Sequence, residues 1–444
     1  MGVLGPRLVV AGTHSGVGKT TVATGLMAAL RRRGERVAPA KVGPDFIDPG
    51  YHALATGRPG RNLDAWICGE ERIAPLAAKA ASGADVLVVE GVMGLFDGAA
   101  EPDSPASTAH VARLLDAPVV LVVDASAMSA SVAALVHGYT TFDSSVRVAG
   151  AVLNRVGSPA HELMLRDALE PLGIPVLGVI ARADELAWRD RHLGLVPVVE
   201  QREAVEKSLE RLADTVDASC DLDAISAIVR AAPRLPAAKA PTAQPSGRAR
   251  VAVAGGPAFS FTYPDNLELL EQAGAELVPF DPRTEAALPA EVDAVYAGGG
   301  FPEVFVAELA ANRPLLKDVR DRMAAGLVTW AECGGLLWLS RSLDGHALCG
   351  ALEADGSMSE RLTLGYRRAH AGVDTPLATA GTELRGHEFH YSSLEPEGDA
   401  LTMSGRNGET RAGFASPRLF ASYLHFHLAA DPHLAERFVA TAGS

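Results

Sequence analysis

The chain has 444 residues, which is too long for one ordinary domain and predicts two or three. Its 40 Lys and Arg residues against 54 Asp and Glu residues give a net charge of −14, which argues against a nucleic-acid partner because such a partner needs a basic face. The four cysteines have no C-x-x-C spacing, so we expect a reduced, cytoplasmic protein without a disulfide framework. The first apolar run is short and leads directly into a glycine-rich segment, so we expect neither a signal peptide nor a membrane span.

That glycine-rich segment is the first functional feature of the chain. The apolar run Leu8–Ala11 precedes it and the amphipathic stretch Val22–Arg33 follows it. Strand, glycine-rich turn and helix in this order are typical of a phosphate-binding loop, whose backbone N–H groups bind phosphate oxygens. We expect Lys19 to contact the β- and γ-phosphates of ATP and Thr20 to bind Mg²⁺. The residues expected to bind the nucleotide in this segment are Gly12, Thr13, Gly16, Gly18, Lys19, Thr20 and Thr21.

Residues 1–230 alternate apolar runs with helical stretches, which predicts an α/β domain with a doubly wound, mostly parallel sheet. A segment rich in Ala and Pro, residues 231–249, is expected to be a linker, and residues 250–444 are expected to form a second α/β domain. The predicted strands are Leu8–Ala11, Val37–Val42, Val86–Glu90, Val119–Asp124 and Val148–Leu153, then Val251–Ala254, Leu277–Phe280, Val292–Ala297 and Leu327–Ala331. The predicted helices include Val22–Arg33 and Ser131–His137.

Carboxylates follow the predicted strands of the first domain, where the ligands of such sheets collect. Mg²⁺ prefers one or two carboxylates together with phosphate oxygens. The candidate Mg²⁺ ligands are Thr20, Asp45, Asp48 and Glu90. Asp97, in a turn after Glu90, is a candidate for positioning the attacking group or the transferred phosphoryl group. Taken singly, each aspartate has the sequence context of an ordinary turn or cap residue, so the functional interpretation depends on the set.

Two further segments lie near the ends of predicted elements. Asn154 follows the strand Val148–Leu153 and is a candidate for binding the purine edge of ATP, although a turn asparagine gives the same pattern. Ser107–His110 has the pattern of a capped helix start. We favour this interpretation over the alternative, in which the two hydroxyl groups bind an anionic substrate.

A cysteine in the second domain has the surroundings of a nucleophile. Cys333 lies at a sharp turn between the strand Leu327–Ala331 and a helix, the thiol version of a nucleophile elbow. The amino end of the helix favours the thiolate. The glycine run Gly298–Gly300 follows another strand, and its N–H groups with that of Gly334 are expected to form an oxyanion hole. The candidate bases are His387, His390, His425 and His427.

These motifs resemble, nearly from end to end, those of the cobyrinic acid a,c-diamide synthase family, including its hydrogenobyrinic acid form. The most specific stretches are Lys41–His52, Gly91–Gly98 and Ser107–Ala112. The resemblance implies a dethiobiotin-synthetase-like nucleotide domain, whose loop has the form G-T-x-x-x-V-G-K-T. That form accounts for Gly12, which stands one residue before the glycine of the strict phosphate-loop pattern. For the second domain the resemblance implies a class I glutamine amidotransferase.

By this resemblance Cys333 is the glutaminase nucleophile and His425 is the histidine that activates it. The acid of the usual Cys-His-Glu triad is missing, because His427 stands two residues after His425. The group that orients His425 stays open between a backbone carbonyl and Glu332.

The resemblance also implies a reaction. ATP, with Mg²⁺ as cofactor, phosphorylates the a and c acetate carboxylates of a corrin polycarboxylate, and ammonia from L-glutamine then replaces the phosphate. The resemblance leaves open whether the corrin carries cobalt, and a homodimer is compatible with it. The candidate corrin contacts are Tyr51, Arg61 and Asn62.

Two other functions fit part of the pattern. Cobyric acid synthase has the same build and amidates other corrin side chains; the stretch Gly43–Pro49, the chain length and the glycine-rich region Tyr296–Phe301 favour the a,c-diamide enzyme. The second alternative is a partitioning-type ATPase switch fused to an inactive amidotransferase-like domain. Such switches usually carry a second lysine early in the loop, and Thr13, His14 and Ser15 supply none. The intact elbow cysteine also counts against an inactive domain.

Overall fold

The computed structural model describes residues 2–98, 106–182, 202–406 and 408–444. The chain divides into two compact units, Met1–Ala240 and Pro241–Ser444. Within the described ranges, every helix is too short or too polar to cross a membrane.

The first unit is built on a parallel sheet of seven strands. Strands β2, β3 and β5 are buried along their whole length, as expected for parallel strands that are covered on both faces. The order across the sheet is β4-β3-β5-β2-β6-β7-β8, and all of its pairings are parallel within the described residues. The strands of this unit are β1 (Gly2–Leu4), β2 (Arg7–Gly12), β3 (Val37–Val42), β4 (Arg61–Leu63), β5 (Val86–Glu90), β6 (Val119–Asp124), β7 (Val148–Val156), β8 (Val176–Ala181) and β9 (Leu235–Ala237).

The helices of the first unit pack their apolar residues on this sheet. Leu26 and Met27 of the first helix share one buried core with Leu8 and Val88 of the sheet. The Ser107 hydroxyl accepts from the N–H of His110 at 3.1 Å, so the capped helix start predicted there is confirmed. The helices are α1 (Lys19–Arg32), α2 (Asp48–Thr56), α3 (Ala65–Cys68), α4 (Ile73–Ala80), α5 (Thr108–Leu114), α6 (Ser131–Thr141), α7 (Pro159–Leu169), α8 (Arg202–Ser219) and α9 (Leu222–Arg230).

The predicted linker 231–249 is not a separate unstructured segment. Its residues Leu235–Ala237 form β9, which pairs antiparallel with β1. Its last residue, Ala249, begins the first strand of the second unit, and the division between the units falls at Ala240. The sequence did not predict β9, because a three-residue strand containing a proline carries no periodic pattern of its own.

The second unit combines a mostly parallel sheet with an antiparallel one. The first has the order β11-β10-β12-β13-β21-β20, with an antiparallel β20–β21 edge. The second follows the path β15-β14-β16-β17-β22, and β18 and β19 extend it from β16. The strands are β10 (Ala249–Ala254), β11 (Ala275–Phe280), β12 (Ala294–Ala297), β13 (Val328–Glu332), β14 (Ser342–Leu343), β15 (His346–Ala347), β16 (Asp355–Ala371), β17 (Glu383–Glu395), β18 (Leu401–Gly405), β19 (Gly408–Ala412), β20 (Phe414–Ser416), β21 (Leu419–Ser422) and β22 (His425–Phe426). The helices are α10 (Pro264–Ala273), α11 (Val306–Ala311), α12 (Arg313–Ala324), α13 (Gly334–Leu339) and α14 (His433–Ala442).

Candidate functional site

The phosphate-binding loop connects β2 to α1, and its shape depends on its glycines. Gly18 directly precedes α1 with a φ of +94°, and Gly16 has a φ of +82°, both in the left-handed region that favours glycine. A Cβ atom on Gly12 would lie 2.5 Å from Val17 Cγ2 and 2.8 Å from Lys19 Cγ. This close approach is the physical reason for a glycine at position 12.

Lys19 folds back over the loop that precedes it. Its Nζ donates to the carbonyl of His14 at 3.1 Å, and the side chain is largely buried. Burial, and then the nearby charge of Lys41, lower the pKa of Lys19 to about 8. Because burial disfavours this ammonium, an anionic ligand such as a phosphate would stabilise it.

Thr20 meets two of the predicted carboxylates, Asp48 at the amino end of α2 and Glu90 at the carboxyl end of β5. Its Oγ1 donates to Glu90 Oε1 at 2.7 Å and lies 3.4 Å from Asp48 Oδ2. Lys41, at the Cα register position opposite Glu90, donates from Nζ to Asp48 Oδ2 at 2.5 Å and to Glu90 Oε1 at 2.9 Å. The His52 Nε2 atom lies 2.6 Å from Glu90 Oε2. The structure therefore brings together three of the four candidate Mg²⁺ ligands, and adds a lysine and a histidine that the sequence analysis did not assign.

The ion pairs of this cluster outweigh the cost of burial for Lys41 and Glu90 but not for Asp48, whose pKa is raised well above its usual range by burial and then by the charges of Asp45 and Glu90. Burial alone would lower the pKa of Lys41, but the charges of Asp48 and Glu90 raise it overall. Burial alone would raise the pKa of Glu90, but Lys41 and His52 hold it below its usual range.

The other two carboxylates use their oxygens in local turns. Asp45 Oδ1 accepts from the N–H groups of Ile47 and Asp48 at 2.7 and 3.1 Å, which fixes the start of α2. Asp97 Oδ2 accepts from the N–H of Gly94 at 2.9 Å, while the residue as a whole is exposed. The roles of Asp45 at a metal and of Asp97 in phosphoryl transfer therefore stay predictions.

Asn154 and Thr13 are tied to the loop through its backbone. Asn154 Nδ2 donates to the carbonyl of Val17 at 2.8 Å, so its amide supports the loop. The Tyr139 hydroxyl donates to the carbonyl of Thr13. Thr21 lies in the first turn of α1.

The three candidate corrin contacts do not form one exposed surface. Tyr51 and Asn62 are buried, and Asn62 Nδ2 donates to the carbonyls of Gly43 and Asp45 at 2.8 and 2.7 Å. Tyr51 lies within α2 and Asn62 supports the segment before it, so we no longer propose these two buried residues as corrin contacts. Arg61 remains half-buried at the sheet edge.

A Mg²⁺ ion fits the side chains at the phosphate loop. Among the residues that the structure describes, no group of three or more His, Cys, Asp or Glu side chains could hold a metal by itself. Mg²⁺ needs fewer protein ligands than that, because nucleotide phosphates and water complete its coordination. The two carboxylates and one hydroxyl of Asp48, Glu90 and Thr20 are the hard oxygen donors that it prefers.

In the second unit, Cys333 occupies the sharp turn between β13 and α13 that the sequence predicts. Its φ of +46° is strained for a residue with a side chain, as at a nucleophile elbow. The N–H of Cys333 donates to the carbonyl of Ser422 at 2.8 Å, which ties the turn to β21. The sulfur lies 4.0 Å from the carbonyl of Phe389 on β17.

His425 is the histidine that hydrogen bonds to the Cys333 thiol. On its other side, Nδ1 lies 3.3 Å from Glu332 Oε2, and both side chains are fully buried. Burial opposes a charge on this ring, but the hydrogen bonds to Cys333 and Glu332 outweigh it and raise the pKa of His425 to about 10. Glu332, which ends β13, therefore lies where it can orient His425, one of the two alternatives that the sequence left open.

The other three candidate histidines have different partners. His427 Nδ1 accepts from the N–H of Ala429 at 3.2 Å. His390 stacks on Tyr423 with ring centres 3.7 Å apart, and burial lowers the pKa of His390 to about 4. His387 lies opposite His425 in the β17–β22 pairing and stacks on its ring at 5.1 Å.

The glycine run beside the cysteine contributes close backbone contacts. The N–H of Gly299 donates to the carbonyl of Phe261 at 3.1 Å. This N–H group is therefore not available for the predicted oxyanion hole. A Cβ atom on Gly334 would lie 3.1 Å from the nitrogen of Gly300, which places these two backbone segments side by side. A Cβ atom on Gly299 would lie 2.5 Å from His425 Cε1, so glycine is required there for the imidazole to fit.

One charged pair near the thiol was missed by the sequence analysis. Arg367 Nε donates to Glu388 Oε2 at 2.7 Å, and both side chains are largely buried. Glu388 directly precedes Phe389, whose carbonyl faces the sulfur of Cys333. Their sequence separation of 21 residues gives no signal, because only the β16–β17 pairing brings them together.

Comparisons with known proteins identify the family. A model described as the CobQ/CobB/MinD/ParA nucleotide binding domain matches residues 8–196, and a CobB/CobQ-like glutamine amidotransferase domain matches residues 250–433. The hydrogenobyrinate a,c-diamide synthase of Streptomyces coelicolor is 49% identical over 98% of this chain and 97% of its own length. The chain belongs to the a,c-diamide synthase family.

Other members of the a,c-diamide synthase family match over nearly their whole length as well. The hydrogenobyrinate a,c-diamide synthase of Thermobifida fusca is 48% identical over 99% of this chain and 97% of its own. The cobyrinate a,c-diamide synthase of Syntrophotalea carbinolica is 44% identical over 98% of each chain. Membership of this family confirms the predicted nucleotide-binding domain followed by an amidotransferase domain, and the prediction of a glutamine-hydrolysing ligase that uses ATP.

Proposed function

We propose that this enzyme amidates the a and c acetate carboxylates of hydrogenobyrinic acid or cobyrinic acid, using ATP and glutamine. The observation that carries the proposal is the relationship over nearly the full length to synthases of that name. The relatives named for hydrogenobyrinate are 48 to 49% identical and those named for cobyrinate 41 to 44%, which favours the cobalt-free substrate.

Glutamine is hydrolysed at Cys333. The sulfur attacks the side-chain amide carbon of glutamine, and His425 passes a proton to the nitrogen, which leaves as ammonia. Water then attacks the thioester carbon and releases glutamate and the free thiol. We assign the binding of the oxyanion in these steps to the N–H groups of Gly334 and Gly300, whose backbone segments lie side by side.

The Arg367–Glu388 pair suits the zwitterionic end of glutamine. The guanidinium can bind the α-carboxylate in a two-point contact, and the carboxylate can accept from the α-ammonium group. Both groups are shielded from water, which strengthens such contacts.

The corrin carboxylate is activated in the first unit. An acetate oxygen attacks the γ-phosphorus of ATP, ADP leaves, and an acyl phosphate forms. Ammonia then attacks the acyl carbon, and inorganic phosphate leaves, so that the carboxylate becomes an amide. Lys19 binds the phosphate oxygens, and the carboxylate of Asp97, whose charge acts on Lys19, helps to orient the reacting groups.

A Mg²⁺ ion bound by Thr20, Asp48 and Glu90 would neutralise charge on the β- and γ-phosphates. The protein's own part in this arrangement is to hold the three oxygen donors together beside Lys19. Asp45 contributes by fixing the amino end of α2, from which Asp48 extends.

A C333A variant tests the division of labour between the two units. Because the variant keeps the phosphate site, we expect it to amidate the corrin with added ammonia at close to the wild-type rate and to lose glutamine-dependent amidation. A K19A variant is the matched control and should lose both reactions. Loss of both reactions in a folded C333A protein, or glutamine-dependent amidation by it, would contradict the proposal.

A further inference from the structure

Lys41 carries three hydrogen bonds at the centre of the candidate metal site. Its Nζ donates to Asp48 Oδ2 at 2.5 Å, to Glu90 Oε1 at 2.9 Å and to the carbonyl of Gly91 at 3.1 Å. An ammonium group has three donors, so these contacts use all of its hydrogen-bonding capacity. The side chains of Lys41, Asp48 and Glu90 are 3%, 8% and 0% exposed.

The carboxylates of Asp48 and Glu90 need a counter-charge even when no metal is bound. Buried carboxylates without a counter-charge are strongly disfavoured. Removing one partner of a buried ion pair therefore destabilises the folded protein, because it leaves an uncompensated buried charge. Asp48 and Glu90 come from different elements, α2 and β5, and converge on Lys41 of β3. The lysine therefore holds the two elements in the geometry that the metal would require.

Lys41 and Thr20 contact the same two carboxylate oxygen atoms, one of Asp48 and one of Glu90. Thr20 Oγ1 lies 2.7 Å from Glu90 Oε1 and 3.4 Å from Asp48 Oδ2, the same two atoms that accept from Nζ. The other oxygen of Glu90 is held at 2.6 Å from His52 Nε2, so Glu90 keeps one anchor if Lys41 moves away. A divalent cation and the lysine thus compete for one pair of carboxylate oxygens.

We propose that Lys41 is a built-in counter-cation that occupies the carboxylates of Asp48 and Glu90 in the nucleotide-free enzyme and releases them when a divalent cation arrives with ATP. The proposal rests on the proposed function only in taking these carboxylates as metal ligands. Without nucleotide, a metal ion must displace an ammonium whose three donors are all engaged. With nucleotide, the phosphates offer Nζ a new partner, so the site takes up metal and nucleotide together.

The test measures metal binding without turnover. Mn²⁺, a paramagnetic ion that takes similar oxygen ligands, is titrated into nucleotide-free enzyme and its free fraction is read by electron paramagnetic resonance. Because K41M removes the competing charge, it should bind Mn²⁺ about tenfold more tightly than the wild type, or better. K41R, which keeps the charge, should retain the weak binding of the wild type. R36M, which removes a cation from the surface pair with Asp85, is the matched control and should also bind as the wild type does.

Thermal unfolding gives a second reading of the same idea. In metal-free buffer K41M should unfold several degrees below the wild type, because two buried carboxylates have lost their cation. Millimolar Mg²⁺ should restore most of that loss in K41M and should leave the wild type and R36M nearly unchanged. If K41M is insoluble without metal, the prediction becomes recovery of soluble protein on expression or refolding with Mg²⁺.

Three results would overturn the proposal. The first is Mn²⁺ binding by K41M that is no tighter than that of the wild type. The second is tighter binding that persists in a K41M/D48N/E90Q variant, since the metal would then lie elsewhere. The third is a K41M protein that stays unfolded or insoluble with Mg²⁺ present, because a divalent cation could not then replace the lysine. None of these readings uses a corrin or glutamine, so they stand apart from a failure of the proposed reaction.

Discussion

At the scale of single residues, the glutaminase site depends on a carboxylate that comes from an unusual place in the chain. Glu332 precedes the proposed nucleophile Cys333, and Glu332 Oε2 lies 3.3 Å from His425 Nδ1. The Tyr296 hydroxyl lies 3.5 Å from the same oxygen. The contact between Glu332 and His425 is fully buried, so it fixes the plane of the imidazole and favours the charged form of the ring. We therefore propose that Glu332 supplies the charge that a glutamate two residues after the histidine supplies in the usual triad.

E332Q should lower the pKa of His425 from about 10 towards the ordinary value of 6.5, because it removes the buried negative charge beside the ring. Titration of ¹³C-labelled histidine by NMR measures this directly. Glutaminase kcat should fall by about 10²-fold. Ammonia-dependent amidation should not change, which separates a positioning role from general damage to the fold.

The matched control for this change is E291Q, whose side chain is 90% exposed and should leave both readings unchanged. An unshifted His425 titration in E332Q would contradict the assignment.

The raised pKa of His425 also affects the stability of the folded protein. Its stabilisation is complete below about pH 6.5, the unfolded value, and is lost as the pH rises through about 10, the folded value. E332Q should therefore reduce wild-type stability at pH 6 more than at pH 10, as measured by urea unfolding.

At the scale of elements, Arg7 joins β2 to three other parts of the first unit. It is fully buried and donates to the carbonyls of Leu115, Gly5, Pro233 and Asp116 at 2.5, 2.8, 2.7 and 3.0 Å. These carbonyls lie before β2, after α5 and before β9, in segments without ladder partners for them. One side chain thus supplies donors to one buried carbonyl, that of Leu115, and to three partly buried ones.

R7M should destabilise the first unit by about 3 kcal/mol, because it leaves the buried carbonyl of Leu115 and three partly buried carbonyls without their donor. Calorimetry of the wild type and the variant measures the loss as a lower unfolding midpoint. R36M, at an exposed arginine paired with Asp85, is the control and should barely move that midpoint. An R7M midpoint equal to that of the wild type would show that water replaces the guanidinium without cost.

The sequence predicted the parallel sheets better than the antiparallel one. The strands Val37–Val42, Val86–Glu90 and Val119–Asp124 are confirmed to the residue because they are continuous apolar runs buried on both faces. The antiparallel sheet was missed because the residues of β16 are mostly half-buried or exposed, so β16 shows no regular alternation. Because this sheet was not predicted, the Arg367–Glu388 pair between β16 and β17 was not predicted either.

The candidate site shows the same limit. The motifs predicted Lys19, Thr20, Asp48, Glu90 and Cys333 from local spacing alone. The contacts of Lys41 with Glu90 and of Glu332 with His425 depend instead on which strands are neighbours. Chain order does not give that information, since β3 pairs with β5 across an intervening strand in sequence.

At the scale of the whole molecule, the chain divides one amidation between two units. The second unit contains the thiol, the imidazole and the buried carboxylate that we propose release ammonia, and the first contains the phosphate loop and its carboxylates. Neither chemistry yields an amide without the other, because a free carboxylate is a poor acyl donor and an acyl phosphate needs an amine. This division is what a member of the a,c-diamide synthase family requires.

The most direct test is to incubate the purified enzyme with ATP, Mg²⁺ and glutamine and either hydrogenobyrinic acid or cobyrinic acid, and to read the products by mass. Each amidation replaces a hydroxyl by an amino group, so the number of amides is counted directly. The account predicts two amides on the corrin, with hydrogenobyrinic acid preferred and ADP formed in step with each amide. The absence of corrin-dependent ATP turnover on both substrates, in an enzyme that binds ATP and hydrolyses glutamine, would contradict it.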